Sequence, residues 1–127
     1  MNKLGKYGEE VATNYLIRRG YIIKERNYRS SLGEIDIICK DHGTIVFVEV
    51  KTRSSRKYGY AGESVDQNKQ KKIIINAINY LIKKNLKTFK FRFDVVLIHL
   101  SDMQNIEEIE HIKDAFNFQF KKDYYNF

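Results

Sequence analysis

The 127-residue chain has no proline and no tryptophan, and only one cysteine. It contains no apolar run near the roughly 18 residues that a membrane-spanning helix requires. Each of these gaps removes a class of protein. With no proline-rich or serine-rich linker, no repeat and no low-complexity tract, a single domain over residues 1–127 is expected, with a core from about 3 to 113 and an aromatic tail over 114–127. Cys39 alone closes no intramolecular disulfide and anchors no metal cluster. The glycines form neither a G-x-G-x-x-G nor a Walker pattern. His42, His99 and His111 are too scattered to suggest a zinc site. Residues 1–10 are polar and carry no apolar signal segment, so a cytoplasmic protein without a membrane partner is expected.

What is present is charge, unevenly placed. The net charge is +7, divided as +4 over residues 1–29, −3 over 30–50, +10 over 51–92 and −4 over 93–127. A basic middle beside a small acidic segment suggests a polyanion partner and a cation-binding spot; the alternative is a lysine-rich, merely solvated surface.

Apolar periodicity gives the elements. Leu4, Tyr7, Val11, Ala12, Tyr15 and Leu16 share one arc of a helix over 4–19, which Gly20 terminates. Residues 21–28 read as a strand, Ser30, Ser31 and Gly33 as a turn, and 34–40 and 45–52 as a hairpin with Gly43 suited to a type I′ turn. A loop over 53–64 leads to a long helix, 65–85, with Ile74, Ala77, Ile78 and Leu81 inward. A strand over 89–100 follows, with Phe89, Phe91, Phe93, Val95 and Leu97 on one face. Ile106, Ile109 and Ile112 fit either a helical turn or a further strand. The fold class is α/β, with a mixed central sheet flanked by helices in the order α-β-β-β-α-β and one possible extra strand.

The hairpin carries the chemistry. If His42-Gly43 is the loop, Asp36 opposes Glu49 and Glu34 opposes Lys51, all four on one face, with Ile35, Ile37, Val48 and Val50 on the other. Opposed carboxylates repel one another and are costly to bury unless a proton or cation intervenes. Two hard oxygen ligands with a nearby lysine suit magnesium, with manganese as a substitute, and phosphodiester hydrolysis. An ordinary cross-strand charge cluster explains the same residues.

Asp36, twelve intervening residues, then Glu49-Val50-Lys51 resembles the PD-(D/E)XK nuclease motif, with Ile35 in place of proline. Most of the chain also resembles the YraN-like family of small bacterial predicted endonucleases. The matching pieces are Gly8-Glu9 with Ala12, Gly33-Glu34-Ile35-Asp36, Val46 to Arg53, Lys69 with Ala77 and Leu81, and Arg92 to Val96. That family is similar to archaeal Holliday-junction resolvases. The resemblance implies a restriction-endonuclease-like core, a homodimer, and metal-dependent cleavage of DNA, in branched or structured form. It implies Glu9, Asp36, Glu49 and Lys51 as the catalytic set, with Glu9, Asp36 and Glu49 on the metal.

The helical wheel independently turns Glu9, about 20° beyond Leu16, towards the apolar arc and Glu10 towards solvent; a helix-dipole role would also explain an early acid. Lys69, Lys72, Asn76, Asn79 and Lys83 form a polar stripe suited to backbone phosphates, and Arg53 opens a basic loop with Tyr58 and Tyr60 available for base stacking. A solvated helix face and a plain connector are the alternatives. Asp94 reads as structural, paired with Arg92 or with a helix terminus, rather than catalytic. Two other functions remain open: a nucleic-acid-binding module without turnover, and an interaction protein docking through its aromatic tail.

Overall fold

In the computed structural model, residues 3–54, 66–85, 90–103 and 105–116 are described. Seven elements follow in order: α1 (Lys3–Arg18), β1 (Ile22–Ser30), β2 (Gly33–Asp41), β3 (Thr44–Arg53), α2 (Gln67–Lys83), β4 (Lys90–Leu100) and β5 (Ile106–Phe116). The strands form one sheet in the spatial order β1-β2-β3-β4-β5. Only the β3–β4 pair is parallel, and α2 is the crossover that joins it. Among the described residues no helix is long and apolar enough to cross a membrane.

The sheet is covered on both sides. Val11, Ala12 and Leu16 of α1 pack on Ile37, Cys39, Val46, Val48, Val96 and Ile98. On the opposite face Ile73, Ile74, Ala77, Tyr80 and Leu81 of α2 pack on Ile38, Phe47, Phe93, Val95 and Leu97. Two covered faces explain why β3 and β4 are apolar on both sides. Burial pushes the Cys39 thiol up to about 12, so it behaves as a small core residue.

Gly20 ends α1 with φ 90°; its N–H reaches the Ile17 carbonyl at 2.9 Å, and the Tyr21 N–H reaches Leu16 at 3.0 Å, a Schellman closure. Asp66 caps α2, its carboxylate accepting the Lys69 N–H at 3.0 Å. A type I′ turn needs a positive φ at both central residues; in the β2–β3 hairpin His42 has it (54°) and Gly43 does not.

The segment at 106–112, which fitted either helix or strand, is strand β5. Its three-residue spacing places Ile109 in the α1 layer and Ile112 in the α2 layer, as a strand between two layers demands. Residues 114–116, assigned to the tail, extend that strand; Phe116 stacks on Phe93 at 5.1 Å between ring centroids. Most of the 53–64 loop, Phe89 and the tail from 117 lie outside the described residues.

Gly8 fixes how closely α1 approaches β3. A Cβ there would lie 1.8 Å from Thr52 Oγ1 and 3.1 Å from Thr52 Cβ. Alanine normally improves a helix interior by about 1 kcal/mol, but overpacking against a stiff β-branched residue costs about 1–3 kcal/mol. Gly8→Ala should therefore lower the urea midpoint, and adding Thr52→Ala should recover most of the loss. An undiminished midpoint in the single variant would show that α1 is free to shift.

Candidate functional site

The β2–β3 register runs as expected from Asp41↔Thr44 to Ile37↔Val48. One residue further, alternation fails. Ile35 packs in the α2 layer and Ile37 in the α1 layer, although two residues of a regular strand should share a face. Between them Asp36 turns its carboxylate towards the neighbouring strand, where Oδ2 accepts the Val50 N–H at 2.8 Å. In an unbroken ladder that donor would face Ile35. Across the other edge, β1 shifts register between Ile23 and Glu25, and Asn27 adopts φ 53°. The expectation of four charged side chains on one face is therefore corrected: the strands part at Asp36, and its side chain enters the gap.

The gap joins the two layers. Glu9 arrives from α1 with only 6% of its surface exposed, while the neighbouring Glu10 points outward to Arg26 at 3.0 Å. Glu9, Glu34 and Asp36 bring carboxylate oxygens within 4.8 Å of one another. Glu49, 4% exposed, comes from the α2 side of β3. All four acids line a pocket of about 420 Å³, bounded by Leu4 and Gly5 of α1 and rimmed by Arg29 and Lys69. Glu34 is the acid that sequence reasoning left without a role; it faces Arg29 at 2.5 Å and not Lys51. Its spacing of two from Asp36 was the available signal.

The electrostatics are those of crowded, half-desolvated acids. Burial, then the nearby Glu49 charge, pushes the Asp36 carboxyl up to about 8, although the Val50 N–H opposes this. Burial also raises Glu9, reinforced by Glu34 and opposed by Arg26 and by a hydrogen bond from Asn27. Burial lowers Lys69, but its contact with Glu49 outweighs that and leaves it above the usual lysine range.

One lysine arrives at the acids where none from α2 was expected. Lys69, read as a phosphate contact, touches Glu49 Oε2 inside the pocket. Lys51 sits two residues past Glu49 on the same face of β3, half-buried, and is not among the residues lining that pocket. Lys72 is exposed one turn along α2, and Arg53 ends β3 opposite His99. Asn76 leaves the expected polar stripe altogether. It is fully buried, donating to the Gly33 carbonyl at 3.0 Å and accepting from Ser30 Oγ at 2.8 Å, and so clamps the β1–β2 turn beside Glu34.

The donor set fits a divalent cation of the magnesium type: hard oxygens, with more carboxylates than cations among the lining residues. Asn27 Oδ1 is buried with no hydrogen-bond partner, on the residue that contacts Glu9.

Asp94 lies elsewhere, with no exposed surface, and accepts from Arg92 Nε at 3.0 Å, His111 Nε2 at 2.7 Å and the Asp114 N–H at 2.9 Å. Its structural reading agrees with this geometry.

Comparison with known proteins places the chain among relatives of similar length. A UPF0102 protein of Clostridioides difficile is 50% identical over 112 residues, 88% of this chain and 95% of its own. One from Persephonella marina is 47% identical over 116 residues, 91% of this chain and 95% of its own. The solved structure of Pyrococcus furiosus SfsA in complex with Ca2+ aligns with a TM-score of 0.40 and 16% identity, over 91% of this chain and 64% of that one, too distant to carry an argument. The model described as "Uncharacterised protein family UPF0102" matches residues 8–98, and the chain belongs to that family.

Proposed function

We propose that the chain is a magnesium-dependent nuclease with a restriction-endonuclease-like core, hydrolysing DNA phosphodiesters. One observation carries this reading: Glu9, Glu34 and Asp36 converge within 4.8 Å at the point where the β2–β3 ladder opens. Bringing three acids together in a half-buried cleft is unfavourable unless a proton or a cation joins them, and a divalent cation serves all three at once.

Glu9, Asp36 and Glu49, with Glu34 beside them, would hold the metal. Bound there, magnesium supplies neutralisation of the charge that builds on the phosphoryl oxygens. The remaining work belongs to the chain. Lys69 and Arg29 stand on the pocket rim, placed to receive a phosphate. Lys51, on the Glu49 side of β3 and in the catalytic set that the PD-(D/E)XK resemblance implies, is the residue that would orient water. Lys72 and Arg53 extend the basic surface along the backbone without reading sequence. Branched DNA as the preferred substrate rests on the resolvase likeness alone.

The Lys69–Glu49 pair favours a second reading, a nucleic-acid-binding module without turnover, because a cation already sits on one acid. Calorimetry with Mg2+ and Mn2+ on wild type and Asp36→Ala, followed by cleavage assays on duplex, single-stranded and branched DNA, separates the two. The nuclease reading expects metal binding and cleavage in wild type and neither in the variant. Salt-sensitive DNA binding that survives Asp36→Ala, with no metal binding in either protein, would leave only the binding module.

A further inference from the structure

The pocket's acids differ in what neutralises them. Glu34 has Arg29, a surface pair with Arg29 largely in solvent. Glu49 has Lys69, and the two partners are unequal: the Glu49 side chain is 4% exposed and that of Lys69 51%. Glu49 is therefore poorly placed to remain bare, whereas an ammonium already half in water leaves with little change in hydration. Lys69 is also anchored for such a movement. Its N–H is fixed by Asp66 at 3.0 Å in the first turn of α2, so its backbone stays in place while the flexible four-carbon stem swings.

We propose that Lys69 and a divalent cation compete for Glu49, and that Lys69, once displaced, turns to a phosphate of the bound DNA strand. The inference deepens the metal-site reading and rests on it. Lys69 thus serves as a resident counter-ion before loading and as a phosphate ligand afterwards. The exchange couples the two ligands. Metal binding frees a cation for the polyanion, and the polyanion, by holding Lys69 away from Glu49, favours the metal by the same factor.

Titration of Mn2+ alone, followed by calorimetry, tests the competition in wild type, Lys69→Met and Lys69→Arg, with Lys71→Met on the exposed face of α2 as a control for general charge. Circular dichroism and melting establish that each variant is folded. Removing the competitor should tighten Mn2+ binding about 5- to 10-fold in Lys69→Met, a coupling of ordinary size. Lys69→Arg should not gain, and Lys71→Met should stay near wild type. Equal or weaker binding by Lys69→Met, with wild type binding Mn2+, overturns the exchange and leaves the metal site standing. No Mn2+ binding by any of the proteins overturns the metal reading itself.

A fluorescent single strand with phosphorothioate linkages tests the second half by anisotropy. Lys69→Met should lose several-fold in affinity with Mn2+ present and much less without it. The same loss under both conditions would show that Lys69 never leaves one partner for the other.

Discussion

Asp36→Asn is expected to make the metal-free protein more stable while abolishing metal binding. Asparagine keeps the shape and an oxygen for the Val50 N–H, but removes the charge that meets Glu49 and Glu9 in a desolvated gap. The sign follows from proton linkage. Asp36 has its folded-state value raised to about 8 from 3.8, so the folded protein holds this proton more tightly than the unfolded chain does. The penalty is absent below the unfolded value, grows as pH rises, and is complete above the folded one. Wild-type stability without metal should therefore decline across pH 4 to 8. The decline should be about 2–4 kcal/mol, since a tenfold change in proton affinity is worth about 1.36 kcal/mol and the site relaxes in part. Asp36→Asn should flatten most of that slope, and saturating Mg2+ or Mn2+ should flatten it in wild type. Urea melts at pH 5 and 8 measure both effects. A variant less stable than wild type at pH 8 would mean that the carboxylate is held charged by structure rather than strained by it.

The opposite behaviour is expected at Asp94. Its burial alone would raise its carboxyl, yet hydrogen bonds from His111, Arg92 and the Asp114 N–H outweigh this and leave it below the usual range. Arg92 also reaches Asp41 at 3.2 Å and the Tyr21 hydroxyl at 2.8 Å, so one carboxylate, with its arginine, ties together β2, β4, β5 and the residue that precedes β1. Asp94→Ala would leave a largely buried guanidinium, an imidazole and a main-chain donor without their acceptor. Breaking a buried pair from one side costs about 3–5 kcal/mol, which for a domain this small is a large share of total stability. Asp94→Asn, retaining one acceptor oxygen, should fall between. Because the folded value is lowered, this contribution is present above the ordinary carboxylate range and is lost as pH falls through the folded value. Acid unfolding should thus begin at a higher pH in the variant that keeps fewer of these bonds. A loss below about 1 kcal/mol in Asp94→Ala would show that the network is slack.

The two aspartates also show where sequence reasoning held. Asp94 was legible because the neighbouring arginine two residues away offers an obvious partner. The register of the β2–β3 hairpin was legible because a two-residue loop and strict alternation allow little else. Asp36 was found, but its surroundings were not. Alternation assumes an unbroken ladder, and the break at Asp36 coincides with a left-handed Asn27 on the neighbouring strand, which no spacing within 34–52 encodes. Asn76 misled for a related reason: a polar residue on a helix wheel was read as solvated, when its position over the Ser30–Gly33 turn gave it buried partners. The arrival of Lys69 at the pocket depends on a crossover helix, whose docking is a tertiary fact.

The distortion at Asn27 has a consequence for self-association. A sheet that is open at both ends offers its outer strands as templates for another chain's backbone. Here both outer strands are irregular: β1 slips register after Ile23 and turns left-handed at Asn27, while β5 is interrupted opposite Phe93–Val95 and His99–Leu100 and turns left-handed at Asp114. Neither presents a long straight row of donors and acceptors, and charged side chains such as Arg26, Arg29, Glu108 and Glu110 stud them. Among the described residues, the left-handed Asn27, on the strand that pairs with β2 beside Asp36, therefore also makes that outer strand a poor template for another chain.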